Sequence, residues 1–143
     1  MALKQIDYGT KEYKQSLQLR YDILRKPLGL EFDPEELSTE KDDIHIAAFD
    51  DDKILGCCFL KHVNNSIVRL RQIAVQNNQR GKGIGESLMH FAENIARDRG
   101  YKTVVMDARK ETWHFFEKLG YKQDGDEFIK ITIPHIVMKK KLV

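Results

Sequence analysis

Six residues, Arg80-Gly81-Lys82-Gly83-Ile84-Gly85, carry the strongest chemical signal in the chain. Before them runs a segment rich in β-branched residues that ends in Ile73-Ala74-Val75, and after them apolar residues recur at Ile84, Leu88, Phe91, Ala92, Ile95 and Ala96. That recurrence is the spacing of a helix with one buried face, and Gly100 suits its C′ position. Three glycines where a strand hands over to a helix let the main chain approach a ligand and leave the amides unhindered. Amides at a helix N-terminus carry partial positive charge, so the guest that fits them is a phosphate group. The expectation is a grip on pyrophosphate, with Arg80 and Lys82 adding charge beside it.

Other phosphate motifs fit the same residues less well. A Walker A loop needs Gly-Lys-Ser/Thr and a further glycine where Gln76 stands. A dinucleotide fingerprint is closer, since Asp107 ends a later strand, but its third glycine position is occupied by Glu86. The segments before the loop also read as hairpins, whereas a dinucleotide-binding domain would open on this strand-loop-helix unit.

Titratable residues with a chemical use are few. His135 is the best candidate, because imidazole titrates near neutrality and can move a proton; a hydrogen-bonded structural histidine is the competing reading. His114 reads as solvated. His45, His62 and His90 lack metal-ligand spacing with cysteines or carboxylates, and no metal is expected.

The elements that must position these residues follow from pattern and composition. Residues 12–25 read as a helix with Tyr13, Leu17, Tyr21 and Leu24 on one stripe, stopped by Pro27. Residues 28–43 form an irregular acidic segment with a short helical turn near Glu35. Three apolar runs, 44–49, 54–63 and 66–75, are separated by Asp50-Asp51-Asp52-Lys53 and Asn64-Asn65 and read as an antiparallel meander. Residues 102–107 read as a strand, 111–119 as a helix closed by Gly120, and 121–142 as a final strand pair. Pro134 belongs at the start of the last strand or in a bulge, because it cannot donate to a ladder.

At 143 residues the chain is expected to form one domain, 1–143, with a sizeable core. Its 24 Lys and Arg nearly balance 22 Asp and Glu, a net charge of +2 that implies no nucleic-acid partner. Cys57 and Cys58 are adjacent, so on a strand they face opposite sides, which suits neither a metal pair nor a disulfide. They read as reduced core residues of a cytoplasmic protein. The first ten residues lack the apolar stretch of a signal peptide, and no run is long enough to span a membrane.

Taken in order, these segments resemble the GNAT superfamily of acetyl-CoA-dependent N-acetyltransferases over nearly the whole chain. Arg80 through Gly85 matches the family's Arg/Gln-x-x-Gly-x-Gly/Ala signature. Phe115-Phe116-Glu117-Lys118-Leu119-Gly120-Tyr121 is similar to its Phe-Tyr-Glu-Lys-x-Gly-Phe segment, and Ile133-Pro134-His135-Ile136-Val137-Met138 to the Pro-His-x-x-Met ending of a small bacterial branch. The resemblance implies an α/β (α+β) fold, a mixed and mostly antiparallel sheet flanked by helices and splayed at its central strand. It implies acetyl transfer from acetyl-CoA to a primary amine of a small molecule or protein by direct attack in a ternary complex. The alternatives kept open are a non-catalytic CoA-binding module or sensor, and a dinucleotide-dependent oxidoreductase. The oligomeric state, a homodimer included, stays open.

The same resemblance assigns roles. The main chain of Ile73, Ala74 and Val75 would pair with the pantetheine arm, and the Ile73 amide would donate to the thioester oxygen. Phe115 and Phe116 would pack against the pantetheine or the core. Many members carry a tyrosine at the position of Phe116 to protonate the leaving thiolate; phenylalanine has no proton to give. Arg69 stands where some members carry a strand glutamate and cannot act as a base. His135, on a strand expected beside the splayed one, is the remaining acid-base candidate. In this superfamily the loop after the first helix walls the acceptor pocket, and here it holds seven carboxylates between Glu31 and Asp43, which would favour a cationic amine. A solvated loop is the plainer reading of that segment, as a solvated strand end is of Lys139-Lys140-Lys141.

Overall fold

The structure, a computed structural model, describes residues 1–143. Its elements, in chain order, are β1 (Ala2–Ile6), α1 (Lys11–Arg20), α2 (Pro34–Ser38), β2 (Ile44–Asp50), β3 (Lys53–His62), β4 (Ile67–Val75), α3 (Ile84–Asp98), β5 (Thr103–Arg109), α4 (Trp113–Lys118), β6 (Lys122–Gln123), β7 (Phe128–Lys130) and β8 (Ile133–Lys141). The strands form one sheet in the order β1-β2-β3-β4-β5-β8-β6, with β7 also paired to β8. Every pairing is antiparallel except β4 with β5. The fold is the expected α/β one, a mostly antiparallel sheet flanked by helices.

Helices cover both faces of this sheet, and the side-chain alternation of the strands shows why. Ile46, Ala48, Cys58 and Leu60 turn to one face and pack with Leu88, Met89 and Ala92 of α3 and with Phe116 of α4. Ala47, Phe49 and Cys57 turn to the other and pack with Leu19 of α1. The adjacent cysteines therefore lie in different cores, both free. Burial pushes the Cys57 thiol up to about 12, so neither reactivity nor pairing is favoured. Gly56 is required where α3 crosses β3: an added Cβ would stand 2.9 Å from Leu88 Cδ1 and 3.2 Å from the Ala74 carbonyl oxygen.

Four elements differ from the sequence reading. β1 is an added edge strand, unmarked by any apolar run, that pairs with β2 from Ala2 opposite Phe49 to Ile6 opposite His45. The first helix is regular only to Arg20; residues Tyr21–Arg25 form a π-helical turn, with the Lys26 amide donating to the Tyr21 carbonyl. Its buried stripe is Tyr13, Ser16, Leu19 and Arg20 rather than the one through Leu17 and Tyr21. The terminal pair is three strands, since β6 and β7 both lean on β8. Lastly, β8 pairs with β5 and not with β4, so the strand of His135 lies one position further from the splayed strand than expected. Pro134 is the second residue of β8, as its missing donor requires.

Two features of β4 shape the site. Its parallel pairing with β5 is confined to Ile67–Arg69 against Thr103–Val105, so beyond Arg69 the two strands separate. On its other side β4 carries a bulge: Ala74 pairs with Cys57 and Arg71 with Phe59, so Gln72 and Ile73 together face Cys58. Gln72 holds a φ of 50°, a left-handed conformation uncommon outside glycine.

Candidate functional site

Where β4 and β5 part, a cavity of about 810 Å³ opens, bounded by the two strands, the glycine loop, α4 and the π-helical turn. Most residues singled out from the sequence meet here. Ile73, Ala74, Val75, Arg80, Gly81, Gly83, Ile84, Gly85, Phe115, Phe116 and His135 all line it. Lys82 does not, and His114 lies exposed beside Glu117.

At the loop end, six consecutive amides from Gly81 to Glu86 donate no hydrogen bond within the protein. Gly83, with a φ of 79°, is the N-terminal cap of α3 and offers no side chain to satisfy them. Its carbonyl accepts the first helical bond from Ser87. Gly81 shares the left-handed φ of 79°, and the alternation with intervening residues curves the amides into a concave, positively polarised surface. Such a surface fits an anion, and the fit belongs to the main chain.

The bulge is held from behind by a buried polar network. Arg20 makes a two-pronged pair with Glu40, with Nη1–Oε1 2.8 Å and Nη2–Oε2 2.6 Å, and its Nε donates to Gln72 Oε1 at 2.7 Å. Both charged side chains are essentially sealed, at 1% and 2% exposure. Tyr13 donates its hydroxyl to Glu40, and the His45 Nε2–H donates to the Glu40 carbonyl. Nothing in the spacing of residues 20, 40 and 72 betrayed this network; a buried arginine on the apolar face of a helix is the one trace it leaves in the sequence.

Charge on the opposite arm is also arranged in pairs. Arg69 and Lys130 both contact Asp107, at 2.9 Å and 3.2 Å. Burial raises the Asp107 carboxyl, but Lys130 and then Arg69 outweigh it and hold the group below the usual carboxylate range. His135 is 5% exposed; its Nδ1 lies 2.7 Å from the Ile133 carbonyl oxygen, and its ring stacks on Phe128. A carbonyl only accepts, so in the neutral ring Nδ1 carries the proton and Nε2 the lone pair. Phe116 is 4% exposed, packed edge-on against Phe115 and Tyr121.

The acidic segment is dispersed by the fold. Glu40 turns inward to Arg20, Asp43 binds Lys61, Asp33 caps α2, and Glu36 alone of the seven lines the cavity. Lys140, read as a solvated strand end, instead pairs at 2.9 Å with Glu93, which Tyr121 also contacts. No three His, Cys, Asp or Glu side chains gather as a metal-holding group, and no helix is long and apolar enough to cross a membrane.

Comparison with known proteins agrees with this geometry. YjcF of Bacillus subtilis strain 168, an uncharacterized N-acetyltransferase, is 25% identical over 131 residues, 91% of this chain and 93% of its own. Among solved structures, an aminoglycoside 6'-N-acetyltransferase complexed with coenzyme A superposes with a TM-score of 0.84 at 20% identity, covering 100% of this chain and 98% of that one. The aminoglycoside 6'-N-acetyltransferase from Enterococcus faecium does so at 0.80 and 21% identity, with the same coverage. Residues 31–142 match the family described as the acetyltransferase (GNAT) domain, so the splayed sheet and its amide-lined loop are those of a chain that belongs to the GNAT family of acetyltransferases.

Proposed function

We propose that this chain, as one domain over 1–143, transfers an acetyl group from acetyl-CoA to a primary amine by direct attack within a ternary complex. The observation that carries the proposal is the run of unpaired amides, Gly81 to Glu86, opening into the cleft between β4 and β5. When bound, acetyl-CoA supplies an activated thioester carbonyl. The loop amides hold the pyrophosphate, and Arg80 adds charge beside it. The main chain of Ile73, Ala74 and Val75 runs along the pantetheine arm as an added strand would. The Ile73 amide, at the bulge formed with Gln72, donates to the thioester oxygen, where negative charge develops. Phe115 and Phe116 pack against the same arm, and neither moves a proton.

Proton removal from the amine falls to His135 through Nε2, or to water. The orientation of the ring by the Ile133 carbonyl supports the first, because a base must be held in one tautomer to be useful. Asp107 is held between two cations and is a poor base. The test is release of the CoA thiol from acetyl-CoA with a panel of primary amines. Amine-dependent release establishes transfer.

One observation favours a second reading. Phe116 fills the place of the family's proton-donating tyrosine and is buried, so a binding module without turnover is the alternative. Calorimetric binding of acetyl-CoA with thiol release no faster than the enzyme-free blank, across all amines, would establish it.

A further inference from the structure

Beyond the loop end, the cavity is bordered by a second cluster of charge, away from the unpaired loop amides. Arg25, on the π-helical turn, is buried, with a side chain 8% exposed, yet its guanidinium makes no hydrogen bond. Its guanidinium carbon lies 5.0 Å over the Phe32 ring, and its nearest carboxylate oxygen, on Glu36, is 3.9 Å away. Arg71 on β4 stands at the same 3.9 Å from the same Glu36 oxygen and also makes no side-chain hydrogen bond. Both arginines and Glu36 line the cavity. A guanidinium has five donors in a fixed fork, and because no buried side-chain nitrogen in the protein is left without a partner, the unbonded donors of Arg25 and Arg71 open into the cavity. These two share one carboxylate that neither reaches at hydrogen-bonding distance.

The surroundings add to the imbalance. Arg109 also lines the cavity, and its guanidinium is bound only to the Leu24 carbonyl, at 3.1 Å. Burial lowers the Arg25 pKa; Glu36 counters this in part, while Arg109, Arg20 and Arg71 push it lower still. On this side of the cleft Arg25, Arg69, Arg71, Arg109 and Lys130 face Glu36, Asp107 and Glu111, and Asp107 is already bound by Arg69 and Lys130. The positive surplus is centred on Arg25 and Arg71. The arrangement is opposite to the cationic pocket guest suggested by the acidic segment, because only Glu36 of those carboxylates lines the cavity.

We propose that Arg25 and Arg71 bind a carboxylate of the acceptor, so that the acetyl-accepting amine is that of an amino acid or another small amine bearing a carboxylate. The planar fork of arginine matches a carboxylate with two parallel bonds, and the Phe32 ring packs against the Arg25 guanidinium. Arg71 lies two residues before Ile73 on the same strand, so a carboxylate held there stays close to the point of transfer. The irregular turn has a use in this arrangement: π-helical turns recur at functional sites, and here one carries Ile23, Leu24 and Arg25 to the cavity wall.

This inference rests on the acetyl-transfer reading, and two readouts separate them. The first is kcat/KM for thiol release with a series of L-amino acids, each compared with its neutral amide and its decarboxylated amine. The amide is less basic than the acid and the amine more so, and together they bracket the effect of amine basicity. The acid should exceed both by at least about tenfold, the scale of one charged hydrogen bond. That ratio should fall close to one in Arg25→Gln and in Arg71→Gln, and being a ratio it is independent of the fraction of enzyme folded. The second readout needs no turnover: calorimetry of N-acetyl amino acids against their amides on the protein saturated with CoA. Turnover with no preference for the acid, or a preference unchanged in both variants, overturns the proposal. No turnover with any amine, but tighter binding of the N-acetyl acids that is lost in the variants, defeats acetyl transfer and leaves the carboxylate site standing.

Discussion

At the scale of single residues, the proposed acetyl transfer turns on two positions whose side chains differ in what they can do with a proton. Phe116 is buried and cannot donate, while His135 is buried and held in one orientation by Ile133. Phe116→Tyr adds one hydroxyl at the cavity wall and should leave the fold intact; where thiolate departure limits the rate, kcat should rise. His135→Ala should lower kcat by roughly a hundredfold or more if imidazole takes the proton, and should remove a limb of the pH profile. If the ring only packs on Phe128, the loss should appear in the melting temperature instead, with kcat and its pH profile unchanged. A third residue-scale prediction concerns the bulge. Glu40→Gln strips the counter-charge from the sealed Arg20 and should destabilise the protein by about 3–5 kcal/mol in urea unfolding, as breaking a buried pair does.

Elements turn these residues into a site, and their ends matter more than their middles. Gly83→Ala and Gly83→Asp both place a side chain at a left-handed φ, where open space surrounds the position and no neighbour is met. They differ in charge. A carboxylate at the cap of α3 competes for the unpaired amides and repels phosphate. The aspartate variant should therefore lose most acetyl-CoA affinity by calorimetry while remaining folded by circular dichroism, and the alanine variant should keep more of it. Near-unchanged affinity in the aspartate variant would falsify the phosphate-loop assignment. On β2, burial lowers the pKa of His45, partly offset by its bond to the Glu40 carbonyl and by the Glu40 charge. A histidine held neutral by the fold binds its proton more readily when unfolded, so stability is full above about pH 6.5 and declines as pH falls below that value. Melting temperature should drop between about pH 7 and pH 5, and His45→Gln should flatten that slope.

For the whole molecule, the sheet is the frame and the cleft is a defect in it. Three residues of parallel pairing join β4 to β5, and everything beyond them is open to a guest. Filling the cleft should stabilise the fold by mass action. Acetyl-CoA at about a hundred times its Kd should add about 2.7 kcal/mol and raise Tm by about 5–10 °C in a chain of this size. NAD should do much less, sharing only the adenosine diphosphate part; a clear shift with NAD and none with acetyl-CoA would favour the oxidoreductase alternative.

What the sequence determined was local or periodic. The glycine loop, the buried stripe of α3, the meander of β2 to β4, the opposed cysteines and the place of Pro134 are all set by turn chemistry, by the periods of helix and strand, or by a missing donor. Those rules act within a few residues and need no knowledge of the rest of the chain. The tertiary structure decided the remainder. Short β1 becomes a strand only because β2 offers it an edge, and the helix after Arg20 widens into a π turn that no period announces. Three carboxylates of the acidic segment go to Arg20, Lys61 and a helix cap, and Glu36 stands between two arginines. Which charges meet is fixed by contacts between residues far apart in the chain, and electrostatic pairing has no sequence period to reveal it.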